Sequence, residues 1–204
     1  MLKERGIIIH PQECGDYFAS RLEETHLNVL GVHPEGGTAA HASMENCIKM
    51  LETDEWRHFR RRMDKAGIAV EFEMHALSWI LNRSLFDKHK EWFRKNEKGV
   101  RVPEFNCCAS NPDVLDYIRE RSAELARIFH PDTDKYYFWI DDVASASCQC
   151  EKCRALSPSD QALTLYNAIA DGLSSVNSRA KQSYLAYYAT LPVPTNVKKL
   201  DNVQ

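Results

Sequence analysis

Hydrophobic and polar positions along the chain alternate between two periods, and the alternation predicts an ordered series of strands and helices. The stretch 136–140, YYFWI, is five aromatic or β-branched residues without a charge, the pattern of a strand buried on both faces. Residues 27–33, LNVLGVH, read as a second buried strand stopped by Pro34, and Gly6 to His10 as a short one broken by Pro11. Residues 68–75 alternate strictly. Ile68, Val70, Phe72 and Met74 fall on one face, and Glu71, Glu73 and His75 on the other, which would be wet in a solvated sheet and interior in a barrel. A fifth strand is expected over 182–189.

Between these runs the period changes to that of a helix. Tyr17, Phe18, Arg21 and Leu22 mark a helix over 13–24, and Met44, Cys47, Ile48 and Leu51 mark another. Asp54 is the expected cap of a further segment bearing Trp56, Phe59 and Met63, with Gly67 as its stop. Asn111-Pro112 opens a helix with Leu115, Ile118, Leu125 and Ile128 on one side. Ser157-Pro158-Ser159-Asp160 opens the last, with Leu163, Tyr166, Ile169, Leu173 and Val176 inward. Residues 76–108 are irregular and long enough to be a functional loop or lid.

The order βαβαβαβαβ requires parallel strands with helical crossovers. Five such strands fit either a doubly wound sheet or five-eighths of an eight-stranded barrel, which usually needs ~250 residues. At 204 residues, one domain spanning 1–204 is expected. No glycine-rich phosphate loop follows any strand, which argues against nucleotide binding.

Composition narrows the function classes. Apolar content of 44%, charge of 27% and net charge −3 are those of an ordinary globular protein. The triplet Arg60-Arg61-Arg62 falls on a predicted helix as a solvated face, so nucleic acid is not an expected partner. No window approaches the ~18 apolar residues of a membrane span, and the N-terminus lacks a signal-peptide pattern, so the chain as written is expected in the cytoplasm.

The segments LNVLGVHP (27–34), EFEMHALSWIL (71–81), NCCASNPDV (106–114), FWIDD (138–142), CQCEKCRA (148–155) and SYLAYYATLPVP (183–194) resemble the bacterial domain-of-unknown-function family 4838. That family is similar to the TIM-barrel part of family 67 α-glucuronidases and, more distantly, to family 20 hexosaminidases. The resemblance implies a partial (β/α)8 TIM barrel, its first five βα units, incomplete at the C-terminus. It also implies carbohydrate as the partner, and exported full-length relatives. The chain would then be a fragment, with uncharged edges at Ile7 to Ile9 and at 184–189 open to self-association.

Asp141 and Asp142, at the end of a buried strand, stand where barrel enzymes keep catalytic groups. Glycoside hydrolysis needs one carboxyl as acid and a second group as base or nucleophile. Adjacent strand residues face opposite ways. Either one Asp is the acid and its partner lies on a strand beyond, as in family 67, or the pair resembles the adjacent acids of substrate-assisted hexosaminidases. The plainer alternative has Asp142 capping a turn and Asp141 paired with a base.

His10, His33 and His75 fall at strand C-termini and suit sugar hydroxyls or, less well, a metal. Trp79, Tyr187 and Asn106 are further candidates for substrate binding, whereas Trp139 is expected to pack in the core. Cys148, Cys150 and Cys153 have ligand-like spacing, with Cys107 or, preferably, Cys108 as a fourth donor to a structural zinc. Disulfides compete with zinc at near parity, and a redox role comes third. Cys14 and Cys47 are expected to be inert core thiols. The leading function is a glycosidase-like barrel. Its rivals are a non-catalytic carbohydrate-binding or structural barrel and a zinc-dependent hydrolase, though no H-E-x-x-H grouping is present.

Overall fold

A computed structural model describes residues 2–204. Five strands form one sheet: β1 (Gly6–Ile9), β2 (Val29–Val32), β3 (Ala69–Met74), β4 (Lys135–Phe138) and β5 (Lys181–Gln182). All neighbours are parallel and their spatial order is their chain order. A doubly wound sheet reverses direction at a switch point, whereas a (β/α)8 barrel adds each strand beside the last. The sequential order therefore selects the partial barrel.

The crossovers are α1 (Asp16–Glu23), α2 (Ala40–Leu51), α3 (Asp54–Ala66), α4 (Leu77–Ile80), α5 (Pro112–Ile128) and α6 (Pro158–Ser174). Their starts follow from side chains that satisfy free N–H groups. Thr53, one residue before the expected Asp54, accepts from Trp56 N at 3.1 Å. Asn111 accepts from Asp113 and Val114, and Ser157 from Asp160. Gly67, at φ 70°, closes α3 in the left-handed region. The helix expected from 13 begins only at Asp16, because Pro11 to Glu13 form a separate 3-10 turn.

One face of the sheet is apolar and helix-covered. Leu30, Val32, Val70, Phe72, Met74, Tyr136 and Phe138 join a single buried cluster with Leu22, Met44, Phe59, Met63, Ile118 and Ile169. At α5–α6 the backbones come so close that a Cβ on Gly172 would collide with the Arg119 carbonyl oxygen. The other face carries Gly31, Glu71, Glu73, Tyr137 and Trp139. Strand β2 is buried on both faces at Leu30, Gly31 and Val32, whereas β4 alternates buried and half-buried positions. Trp139 lies half-buried, its ring beside His33 and His75 and packed against the apolar cluster around Tyr166 rather than enclosed in the core.

The end of the chain also departs from expectation. The strand predicted over 182–189 stops at Gln182, and Tyr188, at φ 45°, begins a 3-10 turn closed by Thr190. The uncharged edge at 184–189 is not a free strand, because residues 202–204 pair in parallel with Gln182 and occupy the next strand position. Gln182 N donates to the Asn202 carbonyl and Gln204 N to the Gln182 carbonyl, each at 2.8 Å. On the opposite side of the sheet Ile8 is 56% exposed. Among the described residues no helix is long and apolar enough to cross a membrane.

Candidate functional site

The three rim histidines form a staircase across the strand ends. His10 Nδ1 bonds the His33 carbonyl at 2.9 Å, His33 Nδ1 the Glu73 carbonyl at 2.7 Å, and His75 Nδ1 the Ile140 carbonyl at 2.8 Å. Each ring is thereby pinned to the strand that follows its own. A carbonyl can only accept, so Nδ1 carries a proton in each ring, which leaves Nε2 as the ring's remaining site for a ligand. No Nε2 of the three has a hydrogen-bond partner among the described residues. Ring centroids are 6.3 Å apart for His10–His33 and 5.9 Å for His33–His75. Burial lowers the pKa of His33 below the usual imidazole value, and the neighbouring histidines lower it further.

The two aspartates meet different fates. Asp141 is 6% exposed and its Oδ2 accepts from the Arg83 guanidinium and from the Asn106 backbone N–H. Asn106 Oδ1 in turn accepts from Asp141 N at 3.0 Å, and its Nδ2 donates to the Ala146 carbonyl. This reciprocal clasp needs the consecutive left-handed pair Phe105 (φ 50°) and Asn106 (φ 51°), a conformation asparagine tolerates and phenylalanine does not favour. Asp141 is therefore paired with a base, as the plainer alternative expected of it, whereas the carboxylate of Asp142 caps no turn among the described residues. Asn106 thus braces Asp141 from the wall of the cleft.

Asp142 is exposed, against His75 and Gly36. A Cβ built on Gly36 would stand 2.8 Å from His75 Cδ2 and 3.3 Å from Asp142 Oδ2, so only glycine fits there without displacing them. Both aspartates, His75, Asn106 and the 41% exposed Tyr187 line one cleft between the β4–α6 loop and the turn after β5. Trp79 does not join them. It is 7% exposed, donates Nε1 to Glu45 at 2.5 Å and lies under the Arg121 guanidinium, 4.3 Å from its centroid. Helical spacing in α4 turns it toward α2 and α5, away from the rim.

Below the rim, the barrel-facing row holds two acids one pleat apart. Glu71 is buried and accepts from Thr133 Oγ1, and Glu73 reaches under Gly31, whose missing side chain makes room for it. Burial and the Glu71 charge push Glu73 up to about 7. The strict alternation of 68–75 was the signal for this row. Arg83, the partner of Asp141, had none, because 58 residues separate the two.

The cysteines divide into a quartet and three singletons. Donor sulfurs of Cys108, Cys148, Cys150 and Cys153 lie within 4.8 Å of one another, all buried. Cys107 faces the cleft lining instead. Burial raises the thiols of Cys14 and Cys47 to about 12, in keeping with inert core positions. Among the described residues this quartet, and not the histidine rim, brings donor atoms close enough to share one ion.

A parallel sheet in sequential order, with its polar groups gathered at the strand C-termini, defines a protein of the (β/α)-barrel class. A family described as a domain of unknown function, DUF4838, matches residues 41–204, and the chain belongs to it. No curated protein matches the chain. Among solved structures it is similar to an α-galactosidase from Thermus thermophilus in complex with p-nitrophenyl α-D-galactopyranoside. The two share 12% identity at a TM-score of 0.49, over 91% of this chain and 38% of that one. The same enzyme with stachyose shows 13% identity and a TM-score of 0.45, over 85% and 37%. The chain thus spans less than two-fifths of the length of the enzyme it matches.

Proposed function

We propose that this chain forms, as one domain, part of a glycosidase-like barrel that binds carbohydrate across the strand ends. In this reading His10, His33 and His75 offer Nε2 to sugar hydroxyls, Trp139 and Tyr187 supply stacking faces, and Asp142 is the acid or base. The observation that carries it is the staircase. Three imidazoles are pinned through Nδ1 with their Nε2 atoms unpaired among the described residues, at the same rim as an exposed carboxylate and two aromatic rings. Sugar sites combine directional hydrogen-bonding groups with apolar ring faces in this way. Asp141 then acts as a positioning residue, holding the end of β4 so that its neighbour projects into the cleft.

A second reading is binding without hydrolysis, favoured by the ion pair that removes Asp141 from the acids available. Calorimetry against a panel of neutral and uronic-acid oligosaccharides, together with hydrolysis assays on the same panel, tests both. An acid–base role predicts that Asp142→Asn lowers turnover by roughly 10²–10⁴-fold while binding changes only a few-fold. Binding without any Asp142-dependent turnover selects the second reading. Absence of binding, with His75→Ala inconsequential, overturns both.

A further inference from the structure

We propose that Cys108, Cys148, Cys150 and Cys153 bind one structural zinc ion that fastens the two loops forming the cleft wall. The geometry is that of an ion cage. Zinc–sulfur bonds of about 2.3 Å in a tetrahedron place the sulfurs about 3.8 Å apart. The Cys108 sulfur stands 3.7 Å from that of Cys150 and 3.9 Å from that of Cys153. These separations are far beyond a sulfur–sulfur bond, and no two of the seven cysteines are bonded. Four protein sulfurs fill a tetrahedral ion and leave no position for water or substrate, so the site is structural rather than catalytic.

The surroundings suit a site of net negative charge. Binding releases the four thiol protons to solvent and leaves four thiolates around a divalent cation. Hydrogen-bond donors face those sulfurs: Lys95 N at 3.3 Å and Arg101 Nη1 at 3.8 Å from Cys148. The Ser110 hydroxyl is 3.5 Å from Cys108 and Cys150 and 3.2 Å from Cys153. Outer groups of this kind orient ligands and stabilise thiolates.

The connectivity gives the ion its role. Cys108 ends the long excursion that follows α4, and the other three lie in the β4–α6 loop. Asn106, two residues before Cys108, holds Asp141, while Gln161 binds the carbonyls of Cys148 and Cys153 and takes the Cys148 N–H. Joining the two loops sets the wall against which Asp141 and Asp142 are aligned. This assignment stands whether or not the cleft takes a sugar.

Elemental analysis of the untagged chain, purified without chelator, should find one zinc per chain. Native thiol alkylation read by mass should add four groups when a chelator strips the metal, with the melting temperature falling at the same step. Cys14, Cys47 and Cys107 should stay protected until the chain unfolds. Cys108→Ser should lose the zinc, and the measurements on the unaltered chain need no variant to fold. Metal-free protein with four free thiols, a mass deficit of paired hydrogens that marks disulfides, or iron with acid-labile sulfide would each overturn the assignment.

Discussion

The two faces of the sheet obey different rules. The helix-covered face is a continuous apolar surface in which Leu30, Val70, Phe72, Tyr136 and Phe138 are almost wholly buried. The barrel-facing row and its rim interleave two acids, three histidines and Trp139, many of them half-exposed. The first face stabilises the fold by removing area from water. The second is held by directional bonds and leaves polar groups poised. Substitutions on the first should therefore act on stability alone. Those on the second should separate stability from chemistry.

The largest effect should come from the apolar face. Phe138→Ala removes a fully buried ring between Phe129 and Tyr136 and should cost about 3–5 kcal/mol in denaturant unfolding. A loss below 1 kcal/mol would mean that this face is not the core. Next comes the rim's own buried contact. Arg83→Met leaves the Asp141 carboxylate in a dry site without its counter-ion and should cost about 2–4 kcal/mol. Adding Asp141→Asn should recover part of that loss, because the amide oxygen still accepts from Asn106 N. Simple additivity of the two changes would show that the pair is not coupled.

Smaller, and opposite in sign, are the two titrating groups of the inner face. Glu73 has its folded pKa raised to about 7, so its neutral form favours the fold at low pH. That contribution is lost as pH rises from the unfolded value near 4.5 through 7. His33 has its folded pKa lowered, so its contribution is present above the unfolded value of 6.5 and is lost as pH falls below it. Glu73→Gln should leave stability at pH 4.5 unchanged and raise it at pH 8 by about 1–2 kcal/mol, after allowing for solvent screening. His33→Gln should flatten only the acid limb. Unfolding curves across pH 4–9 separate the two.

How much of this was legible in the sequence follows from the same contrast. Periodicity and capping residues are local signals, and they placed the first four strands, the helix starts at Asn111 and Ser157 and the rim histidines, but not the end of the fifth strand. The cysteine spacing carried its own information, since three of the four sulfurs that meet lie within six residues. Long-range partners left no local trace. The Arg83–Asp141 pair, the fit of Gly36 against His75 and the strand position taken by 202–204 all depend on chain that returns from far away. Trp79 and Trp139 were exchanged for a related reason. An apolar run cannot reveal which of its alternating side chains is enclosed, and Trp139 is left half-buried beside His33 and His75.

The smallest change in stability should come from the residue to which the proposal assigns the most chemistry. Asp142 is exposed, and none of the hydrogen bonds or ion pairs of the described residues involves its carboxylate. Asp142→Asn keeps the shape and removes a solvated charge, so stability should move by no more than about 0.5 kcal/mol. Asp141→Asn, one residue earlier, replaces a carboxylate that two donors hold in a dry site and should move it several-fold more. The neighbours thus form an internal control, with the same side chain on the same strand end and opposite demands from the fold. If unfolding curves rank them in that order while sugar turnover falls more with Asp142→Asn, the division between a structural and a chemical aspartate stands. If Asp142→Asn unfolds the protein instead, its carboxylate is tied into the fold and the acid at this rim must be sought on another strand.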